Sequence, residues 1–205
     1  MGGIMKITEK FGLVSLLIVT FQVHAAGLPE DLARQWCADC HGVDGNSTSP
    51  LFPRLAGQQH DYLVGQLQAF RAKSRSNQGA RDYMWGMSST IDDAGIDGLA
   101  TYFTAQKPQA NPSSSSPDLL AAGEQLFKNG HPESGTPACA ACHGARAEGT
   151  AIAPRLAGQH AEYLAKQLKI FETNERPAAV AMHGIVLTLS KSDISAVTAY
   201  LQNLQ

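Results

Sequence analysis

The chain has 205 residues, of which 43% are hydrophobic, 17% charged and 7% aromatic, with 19 glycines and 10 prolines, so it is neither collagen-like nor wholly disordered. A formal net charge of −2 leaves no basic surplus for a nucleic-acid footprint. Its four cysteines form two pairs, Cys37/Cys40 and Cys139/Cys142, each followed at once by a histidine.

Residues 1–25 read as a cleaved signal peptide. Lys6 and Lys10 supply a basic start, residues 11–23 an apolar run, and Val23-His24-Ala25 small residues at −3 and −1. A membrane anchor would need about 20 apolar residues, and Gln22 and His24 end the run sooner. Cleavage after Ala25 removes two lysines and one glutamate, taking the net charge from −2 to −3, and leaves Met84, Met87 and Met182 as the mature methionines. Export leads to a compartment where cysteine pairs commonly oxidise.

The remaining pattern is helical. Pro29 suits the first turn of a helix running towards Trp36, because its missing N–H costs nothing there. Residues 58–72 carry Tyr62, Leu63, Gln66, Leu67 and Phe70 at helical spacing, and Asp92 caps a helix with Ile96, Leu99 and Phe103 on its buried stripe. The Pro- and Ser-rich segment 108–117 reads as an extended linker. Asp118 is then expected to cap a helix through Phe127 that stops near Gly130. Residues 159–173 repeat the pattern of 58–72, and Ser190 with Asp193 resembles a capping box before Ile194, Val197 and Leu201. No period-two strand pattern occurs, so the expected class is all-α.

The two halves are copies. Pro53-Arg54-Leu55-Ala56-Gly57-Gln58 recurs as Pro154-Arg155-Leu156-Ala157-Gly158-Gln159, and Tyr62-Leu63 as Tyr163-Leu164, in the same order relative to the cysteines. Met84 matches Met182, and Tyr102 matches Tyr200. Domains are drawn at 26–107 and 118–205, joined by 108–117. Each is near the size at which a side-chain core alone is marginal, so something else should fill the middle.

Cys37-Ala38-Asp39-Cys40-His41 and Cys139-Ala140-Ala141-Cys142-His143 both fit C-x-x-C-H, the signature of covalent c-type haem attachment. On a helical turn residues i and i+3 share a face, so both sulfurs can reach one porphyrin edge while the histidine meets the iron. A single zinc would have to join pairs about 100 residues apart. A thioredoxin-like site lacks its strands, and plain disulfides leave the histidines unexplained. Two haems, one per domain, account for every cysteine.

For the sixth iron ligand, Met84 and Met182 stand at equivalent positions, seven residues before Ile91 and Leu189. Core packing is the alternative use of a methionine. Met87 competes in domain one and His183 in domain two. Pro53 and Pro154 follow the histidines by 12 and 11 residues, where their carbonyls can accept Nδ1–H, and Arg54 and Arg155 beside them suit either a haem propionate or a solvated surface. His60, His131 and His160 occupy non-equivalent places and read as surface or loop histidines.

With both C-x-x-C-H motifs, both P-R-L-A-G-Q segments and both methionines placed, the mature chain resembles the cytochrome c4 family throughout. The resemblance implies two class I cytochrome c domains with axial pairs His41/Met84 and His143/Met182, and haems facing one another across the domain interface. It also implies a periplasmic electron carrier working between a quinol-oxidising complex and a terminal oxidase, with loose membrane association in some members. An electron-accepting subunit of a periplasmic dehydrogenase and a dihaem peroxidase are the alternatives. Class I domains often pack a glycine and an aromatic of the first helix against the last. Gly123, Phe127 and Tyr200 fit that in domain two, whereas domain one shows no such pair and carries Met84-Trp85-Gly86-Met87, with a second candidate ligand. Filled axial positions on both irons imply electron relay without chemistry on a bound substrate.

Overall fold

Helix starts are set by side-chain caps. Asp92 accepts from Gly95 N at 2.8 Å, and Ser190 with Asp193 forms a reciprocal capping box. In the computed structural model these open α5 (Asp93–Thr104) and α10 (Lys191–Asn203), the last helices of the two halves. The structure describes residues 1–2 and 29–205, so the signal-peptide reading, which rests on residues 6–25, lies outside the described residues.

Domain one begins with α1 (Pro29–Leu32), which runs through a π-helical stretch, Ala33–Cys37, directly into α2 (Ala38–His41). The helix expected to run towards Trp36 therefore continues through the C-x-x-C-H motif without a loop. Next come α3 (His60–Arg71), a second π-helical stretch at Ala80–Met84, α4 (Trp85–Ser88) and α5. Domain two has α6 (Pro117–Asn129), a 3-10 turn at Pro132–Ser134, α7 (Ala140–His143), α8 (Ala161–Ile170), α9 (Val180–Val186) and α10. Ser116, not Asp118, caps α6, because Pro117 takes the first helical position, where no N–H is needed, and Ser116 Oγ accepts from Leu119 N. Among the described residues the extended pairing is limited to one bridge, His131 with Thr136.

In each half the first helix crosses the last. Gly123 of α6 lies so close to α10 that a Cβ would stand 2.1 Å from Ala196 O and 2.7 Å from Tyr200 Cβ. Phe127 is fully buried beside it, 5.7 Å from the Tyr200 ring. Domain one makes the same crossing with the small residue on the other helix: a Cβ on Gly98 of α5 would stand 2.3 Å from Pro29 Cγ. Domain one thus has no glycine–aromatic pair on its first helix, as its sequence implied, and the close approach is made by a glycine of the last helix instead. Leu63, Leu99, Ala100 and Phe103 with Ala33 make one core, and Leu126, Phe127, Leu164, Val197 and Leu201 the other. Ile194, placed on the buried stripe from sequence, is only half-buried.

Residues 107–116 carry no regular secondary structure, and Pro117, placed in the linker from sequence, opens α6 instead. Gln109 N donates to Asn46 Oδ1 and Asn111 Nδ2 to Gly158 O, while Ser113 N donates to Asn203 Oδ1. Among the described residues no helix is long and apolar enough to cross a membrane.

Candidate functional site

α2 and α7 are single helical turns, so Cys37 with Cys40, and Cys139 with Cys142, project about one turn apart. None of the four thiols is in a disulfide. Burial and the neighbouring Cys40 push the Cys37 thiol up to about 11, and burial also raises Cys139. Among the described residues no group of three or more His, Cys, Asp or Glu converges on one point.

His41 and His143 are buried, and Nδ1 of each faces a proline carbonyl, Pro53 O at 2.8 Å and Pro154 O at 2.9 Å. A carbonyl only accepts, so the proton is on Nδ1 and Nε2 is bare. Burial lowers both imidazole pKa values, partly opposed by those hydrogen bonds, and keeps the rings neutral. This is the tautomer that offers Nε2 to a metal. Both prolines thus stand where the sequence placed them.

Met84 ends the π-helical stretch and Met182 lies in α9; both are half-buried. The neighbour of Met84 packs towards the His41 side: Tyr83 meets Phe52 edge-on at 5.5 Å, and Phe52 meets His41 at 6.1 Å. Met87 lies three residues further on, in α4, also half-buried. His183 Nδ1 is 2.7 Å from Phe171 O and its Nε2 3.1 Å from Arg176 O, and the neutral ring can donate to one of these two carbonyls.

The duplicated P-R-L-A-G-Q segments meet each other. Gln159 accepts from Arg54 N and donates to Arg54 O, both at 2.9 Å. Its twin Gln58 accepts from Arg155 N at 2.8 Å and donates to Arg155 O at 3.0 Å. Gly57 and Gly158, at φ 64° and 73°, turn the chain so that their N–H groups reach Phe103 O and Leu201 O, each at 2.9 Å. The Arg54 guanidinium crosses the seam to Gly158 O and returns to Asn46 Oδ1. It is neither a free surface charge nor uncommitted. Arg155 differs, since its buried Nε has no hydrogen-bond partner among the described residues.

Sequence reasoning missed part of this seam. His160, read as a surface or loop residue, is 6% exposed; Nε2 donates to Ser47 O at 2.9 Å, and Nδ1 accepts from Asn111 Nδ2 at 3.2 Å. Gln59, its counterpart, donates to Glu148 O at 3.0 Å. Arg75 and Arg176, both buried and 101 positions apart like the other landmarks, were also passed over. Carrying the repeat offset through every charged residue would have found them.

Bare imidazole Nε2 atoms, unpaired thiols on the same turns and the orphaned Arg155 Nε fit a carboxylate-bearing iron porphyrin in each half. Fold and site together define a dihaem c-type cytochrome, with one covalently attached haem per domain. A family model for cytochrome c matches residues 30–106 and again 120–205. Cytochrome c4 of Azotobacter vinelandii is 40% identical over 209 residues, covering 94% of this chain and 98% of that one. The crystal structure of reduced recombinant cytochrome c4 from Pseudomonas stutzeri superposes with a TM-score of 0.74 at 39% identity, over 88% of this chain and all of that one. A thiosulfate dehydrogenase electron acceptor from Thiomonas intermedia (strain K12) is 35% identical over 183 residues, 86% of this chain and 81% of its own. The chain belongs to the cytochrome c4 family, and it is an electron-transfer cytochrome.

Proposed function

We propose that this chain is a periplasmic carrier that accepts electrons from a quinol-oxidising complex and passes them towards a terminal oxidase. Cys37/Cys40 and Cys139/Cys142 hold the haems in this reading, with His41/Met84 and His143/Met182 as axial pairs. Bound there, each haem supplies a one-electron couple.

The observation that carries the reading is the matched pair of histidines, each with Nδ1 engaged by a proline carbonyl and Nε2 left bare. Pro53 and Pro154 fix ring orientation, so a change of charge at the iron needs little movement of the ligand. Histidine together with methionine as the residues holding each iron would favour the reduced state relative to two histidines, and so would suit electron relay. Arg155, with one unpaired buried nitrogen, and Arg54 across the seam are suited to the haem carboxylates.

The test is ligand replacement in the haem-loaded protein. Met182→Leu is expected to lower the potential of one haem and let it bind carbon monoxide, and Met84→Leu is expected to do the same for the other. Met87→Leu is expected to leave both spectra unchanged. A carbon monoxide adduct in Met87→Leu and none in Met84→Leu would reassign domain one. Respiratory assignment is checked by oxygen uptake: the reduced protein should restore electron flow between a quinol-oxidising complex and a cytochrome oxidase in washed membranes.

A second reading has its own support. The Thiomonas relative is named as an electron acceptor of thiosulfate dehydrogenase. Reduction of this chain by such a dehydrogenase with thiosulfate, at a rate exceeding that with the quinol-oxidising complex, would favour it.

A further inference from the structure

The residue after each candidate methionine reaches the same place with a different ring. Trp85 follows Met84 and His183 follows Met182, 98 positions apart like the methionines themselves. Trp85 donates Nε1–H to Arg75 O at 2.8 Å, in the turn after α3. His183 places Nδ1 2.7 Å from Phe171 O and Nε2 3.1 Å from Arg176 O, at the two ends of the turn after α8. An indole has one N–H, and a neutral imidazole carries one on either nitrogen. Whichever nitrogen of His183 carries it, the bond runs into the same turn.

Both turns are fixed points of the fold. Arg75 and Arg176 are 6% and 7% exposed, and each guanidinium donates to Gln66 Oε1 and to Gln167 Oε1. Each also lies over its own domain's phenylalanine, Phe70 at 4.7 Å and Phe171 at 4.6 Å. The rings that reach these turns are held as well. Lys73 Nζ stands 5.6 Å over Trp85, and His183 meets Phe171 edge-on at 6.4 Å.

The segments that carry the methionines have little support of their own. α4 has 4 residues and α9 has 7, well short of the roughly 12–15 at which a helix begins to hold itself in water. A methionine side chain is unbranched and conforms to its surroundings, so the place of its sulfur depends on the place of its backbone. Successive helical residues point about 100° apart. The anchoring ring and the thioether therefore leave the backbone in different directions, and the one contact does not compete with the other.

We infer that Trp85 and His183 are positioning residues: each ties the segment bearing its domain's candidate methionine to the turn after α3 or α8, and so holds the sulfur in place as an iron ligand. This rests on the axial pairs His41/Met84 and His143/Met182 proposed above, and the test separates the two. Spectra of the oxidised, haem-loaded protein report sulfur-to-iron bonding at each haem, and rapid mixing with imidazole reports how readily that bond opens. Met84→Leu and Met182→Leu, measured alongside, should each abolish one haem's sulfur-to-iron band. Bands that stay as in the wild type would reject the axial reading itself.

With the axial reading established, Trp85→Phe is expected to weaken the band of the Met84 haem alone and to speed imidazole binding there about threefold to tenfold, the equivalent of one lost hydrogen bond. His183→Phe is expected to do the same at the Met182 haem alone. Trp85→His copies domain two and keeps an N–H, and His183→Gln keeps a donor amide, so both should bring the rate most of the way back. A packing role predicts the reverse order at Trp85, because phenylalanine fills more of the indole's space than histidine does. Bands and rates unchanged in both Phe variants would overturn the inference, as would Trp85→His opening as readily as Trp85→Phe. Urea unfolding of the same set supplies the last check: opening rates that simply follow loss of stability in every variant would assign the rings to packing and overturn it too.

Discussion

The two domains are copies that solve the same packing problems with different residues. Where the first helix crosses the last, domain two places the small residue on the first, Gly123 under Ala196 and Tyr200, and domain one places it on the last, Gly98 under Pro29. In the turn before P-R-L-A-G-Q, the acceptor carbonyl belongs to Gly45 in one half and Ala147 in the other, both at positive φ. Ala147 shares its core with Leu201, which stands where domain one has Phe103. Beside the candidate ligands, Phe52 and Tyr83 stack in domain one where domain two has Ala153 and Ala181. Across the seam, Gln59 donates to Glu148 O and His160 to Ser47 O. What is held constant is the approach of backbone to backbone; which side chain makes room for it is free to vary.

This comparison can be broken most severely at the helix crossing. Gly123→Ala drives a methyl into the Ala196 carbonyl, which cannot rotate away, and should destabilise by about 3 kcal/mol or more in urea unfolding. Gly98→Ala meets the Pro29 ring, a side chain and not a backbone carbonyl, and about 1–2 kcal/mol is expected. Equal losses would show that the reversed arrangement is no looser than the other.

A smaller effect is expected at the turn. Gly45→Ala places Cβ 2.8 Å from Ala56 N and 2.9 Å from Phe103 Cδ1, at a φ of 73°, and should cost about 1–3 kcal/mol. Adding Phe103→Leu, which copies domain two, should return part of that loss despite the smaller core side chain. Strict additivity of the two substitutions would deny the compensation between Ala147 and Leu201.

The mildest difference concerns pH. Burial holds the His160 pKa below 6.5; the bond to Ser47 O and Glu162 oppose this, and Arg54 adds to it. The unfolded chain therefore binds the extra proton first. His160 should contribute nothing to the pH dependence well above 6.5, and stability should decline as pH falls from 6.5 through the lower folded value. Protonated Nδ1 would also lose the bond from Asn111. His160→Gln, which copies Gln59, should remove this part of the acid sensitivity from a urea-unfolding series between pH 7.5 and 5. An unchanged slope would place the titrating group elsewhere.

Much of the site was legible because its chemistry is local. C-x-x-C-H occupies one helical turn, and the proline carbonyls that orient His41 and His143 lie at short, repeated spacings, so both pairings were found without coordinates. The Ser190–Asp193 box and the Asp92 cap are local for the same reason. Asp118 was misplaced as a cap because Ser116, two residues earlier, offers an equally good oxygen and Pro117 decides between them. His160 looked like a surface residue since nothing nearby in the chain hints that Ser47 would come to lie against it.

Covalent motifs, turn residues and helix caps act over a few residues, so the order of amino acids alone determined two haem-binding halves and their helical character. Which glycine yields at each crossing depends on surfaces brought together from opposite ends of a domain. The pairing of Gln58 and Gln159 with the other half's backbone, and the meeting of Arg75 with Arg176, arise only when the halves dock. Those contacts are between groups about a hundred residues apart, and neither domain makes them by itself.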